Sequence, residues 1–193
     1  LQKIWPLIRK QLPKAELHIY GSYPPPKATA LNNPKTGFLI KGWADNAFDV
    51  MQSARVCLAP LRFGAGIKGK LLEAMIMQTP SVTTNIGAEG MHNDLPWPGK
   101  IANTADDFAN AAVEMYTNQS DFEQAQQDGN TLLNTLYDKA QLSTVLIKKI
   151  DSISSDLEAH REKNFTGQML KHHTMRSTQY MSQWIAEKNK KLD

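Results

Sequence analysis

The residues best suited to chemistry lie in one segment, LRFGAGIKGKLLEAM, which runs from Leu61 to Met75. Three glycines in it, Gly64, Gly66 and Gly69, carry no side chain that would keep an anion away from the backbone N–H groups. The apolar residues that follow have helical spacing, so the loop leads into a helix N-terminus, where unpaired N–H donors and the helix dipole favour an anion. The segment therefore predicts a phosphate-binding loop.

Two lysines and one glutamate complete this pattern. Lys68 and Lys70 bring positive charge to the helix N-terminus, where a lysine is mildly unfavourable unless an anion lies beside it. Glu73 lies one helical turn beyond Lys70, and its carboxylate can accept hydrogen bonds from both hydroxyls of a ribose. These residues predict a nucleoside diphosphate held at two points. The alternative is an ordinary turn followed by solvated lysines.

The spacing of Gly64, Gly66 and Gly69 also matches the dinucleotide-binding pattern G-x-G-x-x-G. That pattern belongs between the first strand and the first helix, whereas this loop follows at least the third predicted strand. The acidic residue expected about 20 residues later would fall in a turn near Gly87 to Glu89. The position of the loop therefore disfavours an NAD-binding domain.

Strands and helices alternate around the loop. A helix is predicted over Ile4 to Leu12, and Asp45 is the predicted N-cap of another. The further predicted helices are one after the glycine-rich loop with Leu71, Leu72, Met75 and Ile76 on one side, then Ala105 to Tyr116, Phe122 to Tyr137 and Leu142 to Ile153. The predicted strands are AELHIYG, GFLIKGW, ARVCLAP, PSVTT and GKIAN. This order predicts an α/β fold with a Rossmann-like, doubly wound parallel sheet and C-terminal helices. We expect a nucleotide-binding domain over residues 1–150 and a helical extension over 151–193.

Composition limits the function classes. No run approaches the roughly 20 apolar residues of a membrane-spanning helix, and the single cysteine, Cys57, is typical of a reducing cytoplasm. The whole net charge of +3 lies from Glu158 onward, which favours a solvated helix face and leaves peripheral contact with an anionic membrane as the alternative. Nucleic-acid binding is not indicated, because no dense basic stripe is interleaved with aromatic residues.

The run APLRFGAGIKGKLLEAMIMQTPSVTTNIGAEGM resembles the C-terminal domain of the group-1 (family 4) retaining glycosyltransferases, over Leu1 to about Ile150. The resemblance implies the two-domain GT-B architecture and a donor nucleotide-sugar, such as a UDP- or GDP-sugar, used in polysaccharide biosynthesis. In that family Glu73 would bind the ribose. The glutamate that binds the donor sugar falls on Ala65, which leaves the N–H groups of Gly66 and Ile67 to face the sugar.

The resemblance also implies a catalytic arrangement. Lys68, Lys70 and the loop amides would stabilise the departing diphosphate, so no metal or other cofactor is expected. No histidine has the spacing of a metal site; His160, His172 and His173 fit a solvated helix. Trp43, after the strand GFLIKGW, is a candidate to stack on the base, with buried packing as the alternative.

The resemblance leads us to expect two parts that would precede Leu1, namely the first strand of the domain and the N-terminal acceptor domain. Without that strand, unpaired sheet edges would favour self-association. The apolar stripe at Tyr180, Met181, Trp184 and Ile185 is a candidate contact with the N-terminal domain. Two alternatives stay open for the function: a degenerate domain that serves as a binding or assembly module, and a nucleotide-sugar epimerase.

Overall fold

The computed structural model describes residues 1–190, with all side chains in that range except those of residues 171–175. The chain divides into two compact units, Leu1–Asp138 and Lys139–Asp193. The helix that begins at Lys139 falls in the second unit, and the domain boundary expected after residue 150 stays a prediction.

Five short parallel strands form the sheets of the first unit. They are β1 (Leu17–Tyr20), β2 (Phe38–Gly42), β3 (Cys57–Ala59), β4 (Ser81–Thr83) and β5 (Gly99–Ile101). β1 pairs with β2, while β3, β4 and β5 form a second sheet in that order. Each predicted strand is confirmed, and the parallel pairing with helical crossovers is that of a Rossmann-like α/β domain.

The strands form two sheets, because no ladder joins β1 to β3 among the residues described. Each of these two strands therefore has one edge without a strand partner. One hydrophobic core nevertheless contains Leu17 and Phe38 from the first sheet together with Val82 from the second. Burial of these side chains holds the two sheets in one unit.

Seven α-helices connect and cover the strands in the first unit. They are α1 (Trp5–Gln11), α2 (Pro26–Thr29), α3 (Ala47–Ser53), α4 (Gly69–Ile76), α5 (Asn85–Ala88), α6 (Ala105–Thr117) and α7 (Gln119–Leu136). α1 buries Trp5 and Ile8 at helical spacing, and α6 begins where the Thr104 side chain accepts a hydrogen bond from the Asp107 N–H.

Two local predictions need correction. Asn46, not Asp45, is the N-cap of α3, because the Asn46 side chain accepts the hydrogen bond from the Phe48 N–H. On α4, Leu71 and Met75 are buried as predicted, but Ile76 is exposed and Ala74 takes the buried position. Ala74 is fully buried, and a side chain this small adds little to an apolar stripe, so apolar spacing alone does not reveal its position.

The second unit is helical throughout its described part, with α8 (Lys139–Ser154), α9 (Leu157–Glu162) and α10 (Phe165–Lys190). α8 confirms the helix predicted over Leu142 to Ile153. The predicted stripe at Tyr180, Met181, Trp184 and Ile185 lies on α10, and all four side chains are exposed. Within residues 1–190, none of the helices combines the length and the apolar composition that crossing a membrane requires.

Candidate functional site

The glycine-rich loop leaves the carboxyl end of β3 and enters α4, as predicted. β3 ends at Ala59 and α4 begins at Gly69. Residues 62–67 are all exposed, so the backbone of this loop is open to a ligand. In open parallel sheets, ligands bind at this edge, beyond the carboxyl ends of the strands.

Two of the three glycines border open space. A Cβ on Gly66 or Gly69 would meet no atom within 4 Å. Gly66 has φ +64°, a left-handed conformation that favours glycine, and Gly69 is the first residue of α4. Gly64 faces the protein instead, because a Cβ there would lie 3.7 Å from Cε of Lys68. The open backbone at Gly66 and Gly69 is therefore where an anion can approach.

Lys68 is the N-cap residue of α4, and only 8% of it is exposed. It forms no ion pair with any side chain that the structure describes. Among the described residues, every fully buried side-chain nitrogen has a hydrogen-bond partner. The Lys68 ammonium is unpaired among these residues, so it is not fully buried and reaches the surface. Its stem is thus buried beside the glycine-rich loop while its charge reaches solvent there.

Lys70 is exposed in the first turn of α4. Its charge also acts on Cys57 in β3: burial raises the pKa of the Cys57 thiol to about 11, and Lys70 opposes this rise. Cys57 is therefore a neutral thiol near pH 7 and behaves as a small apolar residue.

Glu73 follows Lys70 by one helical turn and is half-buried. Its carboxylate takes part in none of the ion pairs found among the described side chains. Lys68 and Lys70 thus lie at the first turn of α4, and Glu73 lies on the next turn. Ala65 is exposed in the loop beside them and places no carboxylate there.

Hydrogen bonds from the end of β4 hold the start of the glycine-rich loop. The sequence did not predict this contact. Thr83 Oγ1 donates a hydrogen bond of 2.9 Å to the Ala59 carbonyl, and Thr84 Oγ1 donates one of 2.6 Å to the Leu61 carbonyl. Thr84 is also the N-cap of α5 and accepts a bond from the Gly87 N–H. In the sequence, the two adjacent threonines before Asn85 indicate a helix cap, but they do not indicate a contact with another strand.

Trp43 lies directly after β2, next to Gly42 with φ +75°. Its side chain is 68% exposed, so the alternative of buried packing is wrong. Stacking on a base stays a prediction.

No group of three or more His, Cys, Asp or Glu side chains in the described part of the chain is placed to hold a metal ion. The His172 and His173 side chains lie outside the described residues.

The sequence was compared with models of known protein families. The model described as "Glycosyl transferases group 1" matches residues 1–118, which is more than half of the chain. The chain belongs to the group 1 glycosyltransferases. A search of curated proteins finds no match.

The part that matches the family contains the whole candidate site of this glycosyltransferase domain. Strands β1 to β5, the glycine-rich loop, α4 and α6 all lie within residues 1–118, whereas α7 and the second unit lie beyond them. The family assignment therefore applies to the sheets and the loop, and the C-terminal helices stand outside it.

Proposed function

We propose that this chain is the donor-binding domain of a retaining glycosyltransferase and that the glycine-rich loop holds the diphosphate of a nucleotide-sugar. The observation that carries the proposal is Lys68, a nearly buried lysine whose ammonium has no ion-pair partner among the described side chains and reaches the surface at that loop.

An anion is the ligand that best fits this arrangement. A positive charge at a helix N-terminus is unfavourable by roughly 0.3–1 kcal/mol, and partial desolvation of Lys68 adds to this. A diphosphate beside the loop would reverse both effects, since it would accept hydrogen bonds from the N–H groups near Gly66 and Gly69 and neutralise Lys68 and Lys70. The open space at the two glycines leaves room for it.

The same contacts supply the proposed catalysis. When the bond between the sugar and the diphosphate breaks, its electron pair remains on the diphosphate oxygen. Lys68, Lys70 and the loop amides stabilise that growing negative charge, which is electrostatic catalysis that uses only groups of the protein. An acceptor hydroxyl then takes the sugar, and the N-terminal domain expected from the resemblance would hold that acceptor.

Glu73 is proposed to accept hydrogen bonds from the ribose hydroxyls, because it follows the lysines by one turn and its carboxylate has no ion pair among the described side chains. The exposed Trp43 is proposed to stack on the base. A UDP- or GDP-sugar would satisfy both residues.

The proposal is tested by calorimetric titration of UDP, GDP, ADP and inorganic pyrophosphate into the chain. Lys68→Met should weaken pyrophosphate and the preferred nucleotide alike, by about 10-fold or more, since a hydrogen bond to a charged group is worth about 1.5–3 kcal/mol. Glu73→Gln should weaken the nucleotide but leave pyrophosphate unchanged. With the 2′-deoxy nucleotide, the effect of Glu73→Gln should shrink. Absence of binding to all four ligands would contradict the proposal.

Ala65 favours a second candidate, a degenerate domain that binds a nucleotide-sugar without transferring the sugar. Release of nucleoside diphosphate from the donor separates the two candidates. Catalytic release with an acceptor supports the transferase, whereas tight donor binding without turnover supports the binding module.

A further inference from the structure

The glycine-rich loop is fixed at its two ends. At the far end, the mostly buried Lys68 begins α4, and its carbonyl accepts hydrogen bonds from the Leu71 and Leu72 N–H groups. Residues 62–67 between the ends are exposed. The direction in which the loop amides point therefore depends on how the near end, at Leu61, is held.

Two hydrogen bonds hold the near end, one from a side-chain hydroxyl and one within the backbone. Thr84 Oγ1 donates to the Leu61 carbonyl at 2.6 Å and accepts from the Gly87 N–H at 3.2 Å. A hydroxyl has one hydrogen to donate and lone pairs to accept, so a single oxygen can make both bonds. Leu61 has a second restraint, because its own N–H donates to the Ala59 carbonyl at 2.8 Å.

The oxygen of Thr84 is itself held in place. The preceding residue, Thr83, is fully buried in β4 and bonds the Ala59 carbonyl of β3. Gly87 packs so closely on Thr83 that a Cβ there would fall 1.9 Å from Thr83 Oγ1. The start of α5 thus has little freedom to move, and the hydrogen bond from Thr84 restrains Leu61 in turn.

We propose that Thr84 is a positioning residue that sets the orientation of the glycine-rich loop toward its anion. This inference rests on the proposed function for the identity of the ligand, but the contact of Thr84 with Leu61 is independent of it. Thr84 acts through Leu61, so its removal loosens the loop and weakens binding while Lys68 and Lys70 stay in place.

The chain offers a matched control in Thr104. Thr104 caps α6 as Thr84 caps α5, because its Oγ1 accepts a hydrogen bond from the Asp107 N–H at 3.1 Å. Among the described residues, its hydroxyl forms hydrogen bonds with Asp107 alone. Thr104→Val therefore removes a helix cap without touching the loop. Thr84→Ser should behave as the wild type, because serine keeps the hydroxyl.

The first measurement uses the full chain and needs no ligand. Amide hydrogen exchange of Leu61, whose N–H is bonded to the Ala59 carbonyl, should become at least about 5-fold faster in Thr84→Val, since one hydrogen bond is worth about 1 kcal/mol, and it should stay unchanged in Thr84→Ser and Thr104→Val. Thr84→Asp separates the two roles of the hydroxyl. Its carboxylate still accepts from Gly87 but cannot donate to Leu61, so it should show the same faster exchange with α5 still capped.

The second measurement is the affinity for inorganic pyrophosphate. Thr84→Val should lower it about 5- to 10-fold, again from the loss of about 1 kcal/mol, while Thr84→Ser and Thr104→Val remain within 2-fold of the wild type. Unchanged exchange in Thr84→Val and Thr84→Asp, or equal effects in Thr104→Val, would overturn the inference. If the wild type binds no pyrophosphate, the proposed function fails, and the exchange experiment still decides the role of Thr84.

Discussion

Lys68 buries its stem beside the glycine-rich loop and brings its charge, which has no ion-pair partner among the described side chains, to the surface there. This charge lies at the N-terminus of α4, where the helix dipole makes a positive charge unfavourable. An anion bound beside Lys68 would remove that unfavourable interaction, which points to a role in binding.

Replacement of Lys68 by methionine should therefore stabilise the ligand-free chain. We expect an increase of roughly 0.5–1 kcal/mol in the free energy of unfolding, because the variant relieves the helix-dipole repulsion and the partial desolvation. Urea denaturation measures this change. Lys70→Met is the comparison: Lys70 is exposed in the first turn of the same helix, so this variant should share the helix-dipole gain without the relief of partial desolvation, and its effect should be smaller. A less stable Lys68→Met would show that the lysine supports the fold.

Cys57 gives a prediction of pH dependence. Its pKa is raised from 9.0 to about 11 by burial, so between these values the unfolded chain releases a proton that the folded chain retains. The stabilisation is complete below about pH 9 and is lost as the pH rises toward 11. Stability curves of the wild type and Cys57→Ala should thus approach each other over this interval. A parallel decline in both would contradict the assignment.

At the residue scale, the sequence predicted the loop and could not predict the burial of Lys68. Glycine spacing and the following apolar pattern are local signals, and both place Gly64, Gly66 and Gly69 where the structure has them. The Lys68 stem passes beside Gly64, and spacing along the sequence does not reveal such a contact between a side chain and the backbone.

At the scale of the elements, α5 lies in very close contact with β4. The close approach of Gly87 to Thr83 permits no side chain, and it brings the N-terminus of α5 against the end of β4. The sequence predicted β4 from PSVTT but gave no strong signal for a four-residue helix after it. A helix this short has no apolar periodicity, so only its cap could have been recognised.

Gly87→Ala should destabilise the chain by about 1–3 kcal/mol, as overpacking of a tight contact does. In a Thr83→Ala background the same change should have a smaller effect, because the atom 1.9 Å from the new Cβ is then absent. Gly21→Ala is the control, since a Cβ there meets nothing within 4 Å. Thermal unfolding of Gly87→Ala, Thr83→Ala, the double variant and Gly21→Ala measures the coupling. Additive effects of Gly87→Ala and Thr83→Ala on stability would contradict it.

At the scale of the whole chain, the first unit contains two hydrophobic cores, the one around Val82 and a second one around Leu71 and Leu132. Every buried core residue precedes Lys139, from Ile4 to Leu132, and no residue of the second unit is buried among those whose side chains are described. The sequence predicted a helix over Leu142 to Ile153 from its apolar spacing, but the spacing within one helix does not show which unit that helix belongs to.

A chain that ends at Asp138 should therefore fold. We expect its thermal midpoint to lie within a few degrees of the full chain, with loss of the helical signal of α8 to α10 in circular dichroism. A chain that ends at Gln126 should be much less stable, because it lacks the fully buried Leu132. Unfolding of the 1–138 chain at room temperature would show that the second unit supports the first.

The open loop at Gly66 and Gly69 also has a consequence for the lifetime of the protein in a cell. A ligand that binds only the folded chain stabilises it by about 2.7 kcal/mol at 100 times its dissociation constant. Under the proposed function, the supply of nucleotide-sugar would set how often the chain unfolds and becomes accessible to a protease. Cells depleted of donor should then contain less of this protein at unchanged messenger levels, so that the loop would link enzyme abundance to metabolic state.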